Sequence, residues 1–175
     1  VRSLIELGAD VSMATVNGGT PLWIAAQKGH ETIVRALIEA GADVNKAMDN
    51  GMTPLYIAAE NGHETVVRSL IELGADVSMA TVNGRTPLIF AAQKGHETVL
   101  RALIEAGADV NKAIDDGTTP LYIAAREGHE ASVRTMIEAD ADVNKAVDED
   151  VTPLFIATEK EYAAIVQIIR DAGAV

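Results

Sequence analysis

The sequence predicts an all-α solenoid, in which short helix-turn-helix units stack side by side in a row. The segment TPLYIAAENGH at residues 53–63 has near-copies that begin at Thr20, Thr86, Thr119 and Thr152, and every step is 33 residues. A fixed period of this size is typical of units that are too small to bury their own apolar face alone. Within each unit, apolar residues recur at helical spacing in two short segments, which predicts two helices.

Unit 16–48 shows how the sequence predicts each helix. Thr20 is a good N-cap residue, and Pro21 suits the first helical position, where its missing N–H costs nothing. Gly29 is expected to end the first helix, because glycine tolerates the positive φ that a helix end requires. The second helix is predicted from about Glu31 to Glu39 and ends at Gly41. Its buried stripe consists of Ile33, Val34, Leu37 and Ile38.

The repeats divide the chain as one array. Residues 1–15 match the second half of a unit, full units occupy 16–48, 49–81, 82–114 and 115–147, and a shorter unit occupies 148–175. An array that opens in mid-unit is expected to be a fragment of a longer chain. A second period lies on top of the first, since residues 1–66 match residues 67–132 at 54 of 66 positions. This pattern indicates duplication of a two-unit block.

Composition narrows the classes of function. The chain has 175 residues, a formal net charge of −12 and no cysteine. Such an acidic chain would repel a phosphate backbone, so no nucleic-acid partner is expected. No apolar run approaches the ~20 residues of a membrane span, so no membrane partner is expected. The lack of cysteine excludes disulfides and favours an intracellular, cytoplasmic location.

Two columns of titratable residues recur with the repeat, and both are interpreted as structural. The histidines are His30, His63, His96 and His129, and the aspartates are Asp10, Asp43, Asp76, Asp109 and Asp142. Equivalent side chains of stacked helices lie roughly 8–10 Å apart, which is too far for one zinc ion to be shared. Identical aspartates at identical turns are expected to bond backbone groups. Charges at Glu31, Arg35 and Glu39 are expected to alternate along one exposed face. We therefore predict no enzyme activity, catalytic residue, metal or cofactor.

The segment TPLWIAAQKGH, followed by IVRALIEAGADVN, resembles the ankyrin repeat, and five copies cover essentially the whole chain. The resemblance implies an ankyrin-repeat solenoid, with a β-hairpin finger before two antiparallel helices in every unit. It also implies a non-catalytic protein–protein interaction module, which binds a protein partner through a concave surface of fingers and first helices. One departure is systematic. The family's usual His after TPL is replaced by Trp23, Tyr56, Ile89, Tyr122 and Phe155.

Carried over position by position, the resemblance places the partner-binding residues on the fingers and on the exposed side of the first helices. The finger candidates are Val16, Asn17, Gly19, Asp49, Asn50, Met52, Val82, Asn83, Arg85, Asp115, Asp116 and Thr118. The first-helix candidates are Gln27, Lys28, Glu60, Asn61, Gln93, Lys94, Arg126 and Glu127. Trp23, Tyr56 and Tyr122 are aromatic candidates, because Trp and Tyr dominate interface hot spots. The favoured alternative for this aromatic column is packing between neighbouring repeats.

The last two units contain departures with structural consequences. Asp150 and Glu161 replace glycines and Arg170 replaces an isoleucine, so residues 148–175 are predicted to form a C-terminal capping repeat with a polar outer face. Asp140 replaces the glycine that ends the second helix in the other units. A positive φ is expected there, at a cost on the order of 1 kcal/mol.

Other functions stay open beside protein binding. The array is alternatively a structural spacer or a self-associating segment of a larger protein, with Leu4 and Ile5 at the open N-terminal half repeat as the stacking surface. It is also compatible with an engineered repeat scaffold. A monomer is favoured over an oligomer, and end-to-end stacking is the alternative. The acidity is interpreted mainly as a source of solubility, with preference for a basic partner as the alternative.

Overall fold

The computed structural model describes residues 8–147 and 151–174, and over these residues it contains ten helices and no assigned β-strand. The helices are α1 Pro21–Gln27, α2 Glu31–Glu39, α3 Pro54–Glu60, α4 Glu64–Glu72, α5 Pro87–Lys94, α6 Glu97–Glu105, α7 Pro120–Glu127, α8 Glu130–Glu138, α9 Pro153–Glu159 and α10 Ala163–Asp171. The first helix of each pair packs against its own second helix and against the first helix of the next pair. The second helices also pack in sequence. The predicted solenoid of stacked helix pairs is therefore confirmed.

The helix ends follow the local sequence signals. In every first helix, a threonine hydroxyl accepts a hydrogen bond from the backbone N–H three residues later, as Thr20 does from Trp23 at 3.2 Å, and proline occupies the first helical turn. Gly29 has φ +73° and Gly41 has φ +92°, in the left-handed region that favours glycine. The second helix of this unit spans Glu31–Glu39, as predicted.

One continuous core runs along the array between the two layers of helices. Pairs of fully buried alanines, such as Ala58 and Ala59, let the first helices approach each other closely. Leu70, Leu103 and Val133 of the second helices fill the space between the layers. Small and aliphatic side chains thus replace the large rings that most cores of this size contain.

The histidine column joins neighbouring units rather than the two helices of one unit. The His63 Nε2 lies 3.0 Å from the carbonyl oxygen of Gln27, and His96 and His129 make the same contact with Glu60 and Gln93 at 3.1 and 2.9 Å. Each ring lies against the glycine that ends the preceding first helix. A Cβ built on Gly29, for example, would be 2.9 Å from His63 Nδ1. The structural interpretation of this column is correct, but its partner lies one unit earlier.

The ion pairs on the second helices also join neighbouring units, whereas the sequence predicted charges that alternate along one helix. Arg35 Nε bonds Glu31 within its helix at 2.6 Å, as expected. Its Nη2 bonds Glu72 of the next unit at 2.6 Å, instead of Glu39. Arg68 and Arg101 likewise reach the next unit. Within one helix, an acid four residues before the arginine is the better oriented partner, which agrees with the bond to Glu31 and leaves the other side of the guanidinium to Glu72.

The fingers are short turns, and the predicted β-hairpins are not found in the described residues. Fingers 1 to 4 comprise residues 15–19, 48–52, 81–85 and 114–118. In each finger the first backbone N–H donates to the last carbonyl, as Thr81 N does to Arg85 O at 2.9 Å. A strand requires a ladder that continues beyond one such bond, and here the chain turns directly into the first helix. Bonds such as Val82 N to Asn50 O, at 3.1 Å, then tie neighbouring fingers together.

Two non-glycine residues adopt positive φ in the described residues, namely Asp140 at 61° and Glu161 at 58°. The prediction for Asp140 is therefore confirmed. Arg170 is exposed on α10, whereas Leu4, Ile5 and Asp150, on which other predictions depend, lie outside the described residues. None of the helices in the described part of the chain is long and apolar enough to cross a membrane.

Candidate functional site

The predicted partner-binding residues fall into three groups by exposure. We refer to fingers 1 to 4 together with the exposed side of the first helices as the finger–helix surface. Exposed are Val16, Asn17, Lys28, Asp49, Asn50, Asn61, Val82, Asn83, Lys94, Asp115, Asp116 and Glu127. Half-buried are Trp23, Gln27, Met52, Glu60, Arg85, Gln93 and Arg126, and buried are Gly19, Tyr56, Thr118 and Tyr122. Gly19, Tyr56, Thr118 and Tyr122 expose little area to a partner in this conformation, and partner binding by the whole set stays a prediction.

The aromatic column packs between neighbouring repeats. Tyr56 is 1% exposed, and its ring lies against Phe90 of the next unit with centroids 4.6 Å apart. Burial, helped by the charge of Glu60, raises the pKa of the Tyr56 phenol. Tyr122 is 8% exposed and belongs to a small apolar cluster with Ile123. At the end of the column Phe155 is 47% exposed, because no described unit covers it. Tyr56 and Tyr122 thus fill the space between units, whereas Trp23 is half-buried and Phe155 is exposed.

A depression of about 250 Å³ lies between fingers 2 and 3. It is lined by Asn50, Met52, Tyr56, Thr81, Val82, Asn83, Arg85 and Phe90. The Asn50 side chain accepts the N–H of Met52 at 3.1 Å, which fixes the tip of finger 2. We refer to this depression as the inter-finger groove. It brings together five predicted finger residues and adds Thr81 and Phe90, which the predicted set omits.

Arg85 is held in the inter-finger groove by two neutral groups. Its Cζ lies 5.3 Å from the centroid of the Phe90 ring, within the range of a cation–π contact. Its Nη1 donates to Oε1 of Gln93 at 3.4 Å, a long hydrogen bond. Among the described residues, no carboxylate oxygen lies within 4.0 Å of the Arg85 guanidinium. The groove therefore contains a positive charge that the described residues do not neutralise directly.

The aspartates of the repeat column hold the turns after the second helices by hydrogen bonds to nearby residues. Asp76 Oδ1 accepts the N–H of Ser78 at 2.8 Å and its hydroxyl at 2.6 Å, and these bonds lower the pKa of the Asp76 carboxyl. Asp43 and Asp109 accept the N–H two residues later in the same way. Asn45 then links units, because its Oδ1 accepts the N–H of Asp76 at 2.9 Å. These polar groups serve the connections between units.

No set of metal ligands is formed by the described residues: among them, no group of three or more His, Asp or Glu side chains could hold an ion. The histidines are separated by the repeat, and His63, His96 and His129 each face a backbone carbonyl. The described residues therefore form a repeat frame that carries different side chains on its exposed surface.

Comparison with known protein families agrees with this geometry. A family model described as "Ankyrin repeats (3 copies)" matches residues 1–81, 41–114, 78–147 and 113–175. In a comparison with curated proteins, no match reached significance. Members of this family typically act as non-catalytic modules for protein–protein interaction. The overlapping matches span residues 1–175, and together with the stacked helix pairs they establish that the chain belongs to the ankyrin-repeat family.

Proposed function

We propose that residues 1–175 form a single array that binds a protein partner through the concave side formed by the finger–helix surface. The observation that carries this proposal is the position of exposed apolar area. Between residues 49 and 147, all of which the structure describes, Val82 is the one large apolar side chain that is exposed, at 68%. It lies at the tip of finger 3 beside the half-buried Met52. Val16 at finger 1 of the same surface is 98% exposed, so two fingers present apolar side chains, and exposed apolar area shared by several fingers favours a protein as the ligand.

The finger–helix surface is also suited to binding because it is held in place before a partner arrives. Finger 1 is tied to finger 2 by the bond from Asp49 N to Asn17 O at 3.3 Å, and finger 2 is tied to finger 3 at Val82. Every first helix is fixed by a threonine cap. A surface that is already ordered loses little conformational entropy on association, which favours tight binding.

A capture experiment with three versions of the whole chain tests the proposal. The first is the wild type, the second carries Val82→Ser and Arg126→Ala on the finger–helix surface, and the third carries Arg68→Ala and Arg134→Ala on the second helices. We expect a partner that is captured by the wild type to be lost by the second version and retained by the third. Retention by the second version and loss by the third would place the interface on the second helices instead.

End-to-end self-association is the second candidate, and exposed apolar residues at the two ends of the described array favour it. Ile24 is exposed on the first described pair and Phe155 on the last, whereas their counterparts Ile57 and Tyr56 are buried between units. Glu161 opposes stacking in the register used inside the array. Its counterparts are glycines that leave room for the next ring, as Gly128 does for Tyr162. Sedimentation velocity at high concentration separates the candidates, since a strict monomer rules out stacking.

A further inference from the structure

We propose that the inter-finger groove is a subsite for one carboxylate, and that the partner presents there an Asp or Glu side chain flanked by apolar residues. This inference rests on the proposed binding through the finger–helix surface and specifies the chemistry of the partner at one point on it. Charge complementarity with Arg85 identifies the occupant, and the shape and polarity of the groove restrict it.

The orientation of Arg85 leaves most of its donors free for a ligand. A guanidinium carries five N–H groups in one plane. Among the described residues, one of them is engaged, by the neutral Oε1 of Gln93. The Phe90 ring supports the face of the guanidinium and does not use its edge. The planar edge is the part of arginine that binds a carboxylate with two parallel hydrogen bonds.

The other half-buried arginines show what this chain does elsewhere with a guanidinium. Arg35 bonds two carboxylates at 2.6 Å each, and Arg126 bonds Glu127 at 2.9 Å. Arg85 is also half-buried, but its direct contacts among the described residues are the Gln93 amide and the Phe90 ring, and Asp116 acts on it only from beyond ion-pair distance. Because a partly desolvated cation is stabilised by an anion, the groove is expected to favour a ligand that supplies one.

The walls of the groove determine what stands beside the carboxylate. Met52 and Val82 contribute aliphatic side chains, and the Tyr56 ring closes the floor. Val82 is exposed and would lose this exposure under a partner. An apolar side chain next to the acidic one would cover this wall and exclude water from the ion pair, which strengthens it.

Nearby acidic groups limit the negative charge that the groove accepts. The hydroxyl and the N–H of Thr118 lower the pKa of the Asp116 carboxyl, and Arg85 contributes to this effect from a distance beyond ion-pair contact. Glu60 lies on the same surface, and the chain as a whole carries a formal charge of −12. A phosphate group or a run of acidic residues would be repelled by these charges, whereas a single carboxylate would be neutralised by Arg85.

The positions of Arg85 and Phe90 lack this chemistry in other units of the array. In the duplicated block, Gly19 stands where Arg85 stands and Ile24 stands where Phe90 stands. In the last unit, 66 positions further along the chain, the corresponding residues are Val151 and Ile156. The arginine and its ring therefore occur together in one unit and are absent together from both of the others, as expected of two residues that form one subsite.

The test is a selection of random 12-residue peptides, displayed on phage, against the complete chain. Peptides are kept if they lose binding to the uncharged Val82→Ser variant, which identifies those on the finger–helix surface without favouring acidic sequences. We expect these peptides to share an Asp or Glu next to Leu, Ile, Val or Met. One synthetic peptide is then titrated by fluorescence anisotropy against the wild type and against the R85M, R85K and R35M variants. R35M is the matched control, because Arg35 is also half-buried but lies on a second helix, outside the finger–helix surface, with its own carboxylates.

R85M is expected to weaken binding about tenfold or more, as loss of a charge-assisted hydrogen bond does. Changing the acidic residue of the peptide to its amide should cause the same loss, and the two changes together should cost little more than either. The affinity of R85K should lie between those of the wild type and R85M, and R35M should change binding less than about twofold. Thermal melts of every variant show whether it folds.

Three results would overturn the inference, and they separate it from the proposed function. Peptides that depend on Val82 but carry no shared acidic residue, or that bind R85M unchanged, refute the carboxylate subsite and leave binding at this surface standing. Selection of basic peptides refutes it as well and shows that the net charge governs recognition. A library without any peptide that depends on Val82 counts against both proposals.

Discussion

Replacing Asp140 with glycine is expected to stabilise the fourth unit. Asp140 has φ 61°, whereas its counterparts Gly41, Gly74 and Gly107 have φ between 88° and 93°. The backbone needs this conformation, because Asp140 N bonds Ile137 O at 3.1 Å and closes α8. The contact of Asn111 Nδ2 with the Asp140 carbonyl, at 3.3 Å, involves only the backbone of residue 140 and would survive the change. The aspartate side chain itself is exposed.

The magnitude follows from two opposing terms. An aspartate in the left-handed region costs about 1 kcal/mol relative to glycine, since short polar side chains tolerate this region better than others do. Part of this gain is offset, because glycine raises the conformational entropy of the unfolded chain. The net increase in the free energy of unfolding should be about 0.5–1 kcal/mol, which raises the melting temperature of a chain of this size by about 1–4 °C.

Urea unfolding followed by circular dichroism measures the total change, and hydrogen exchange locates it. Repeats that contact only their neighbours can unfold in part, so amides of α7 and α8 should gain the most protection. The matched control is Gly107→Asp, where an added Cβ meets nothing within 4 Å and only the backbone conformation is tested. Its free energy of unfolding should fall by about as much as that of Asp140→Gly rises. A lower melting temperature for Asp140→Gly, or a neutral Gly107→Asp, would refute the reasoning.

Three further predictions test the contacts between units. Gly95→Ala should lower the free energy of unfolding by about 2 kcal/mol or more, because its Cβ would lie 2.6 Å from His129 Nδ1 at φ +69°; Gly107→Ala, with open space, should lose about 1 kcal/mol. Arg68→Met should lower the urea midpoint slightly at low salt and leave it unchanged at ~1 M NaCl, since its two ion pairs are exposed. The lowered pKa of Asp76 contributes stability above pH 3.8, and this stability is lost as the pH falls through the folded-state pKa. Asp76→Asn should remove this part of the dependence of unfolding free energy on pH. An unchanged pH dependence in the acid range would contradict the prediction.

The helices could be predicted from the sequence because their signals are local. Thr20 and Pro21 start one helix, Gly29 and Gly41 end two, and all of these lie within a few residues of the turn that they determine. Contacts between units could not be predicted in this way. Nothing in the spacing of Glu31, Arg35 and Glu39 reveals that the guanidinium reaches the next unit, because this depends on the rise of the stack. The same limit applies to burial at the finger–helix surface, where Gly19 and Thr118 are buried although the resemblance places them among the partner-binding residues. Packing of the aromatic column between units could be predicted, and Tyr56 lies against Phe90 of the next unit.

The candidate subsite depends on two linked differences between the duplicated blocks that the sequence alone does not connect. Between the duplicated blocks, Gly19 becomes Arg85 and Ile24 becomes Phe90, two changes that are five residues apart in the chain. From the sequence, one reads as a surface change and the other as repacking of the core. In the structure the guanidinium lies 5.3 Å from the ring, so the core substitution supports the surface one. A repeat frame whose units contact only their neighbours lets such a pair change in one copy without disturbing the others. Selectivity in this array is therefore expected to arise from coupled differences between nearly identical units, and the Arg85 and Phe90 pair is the one to alter first.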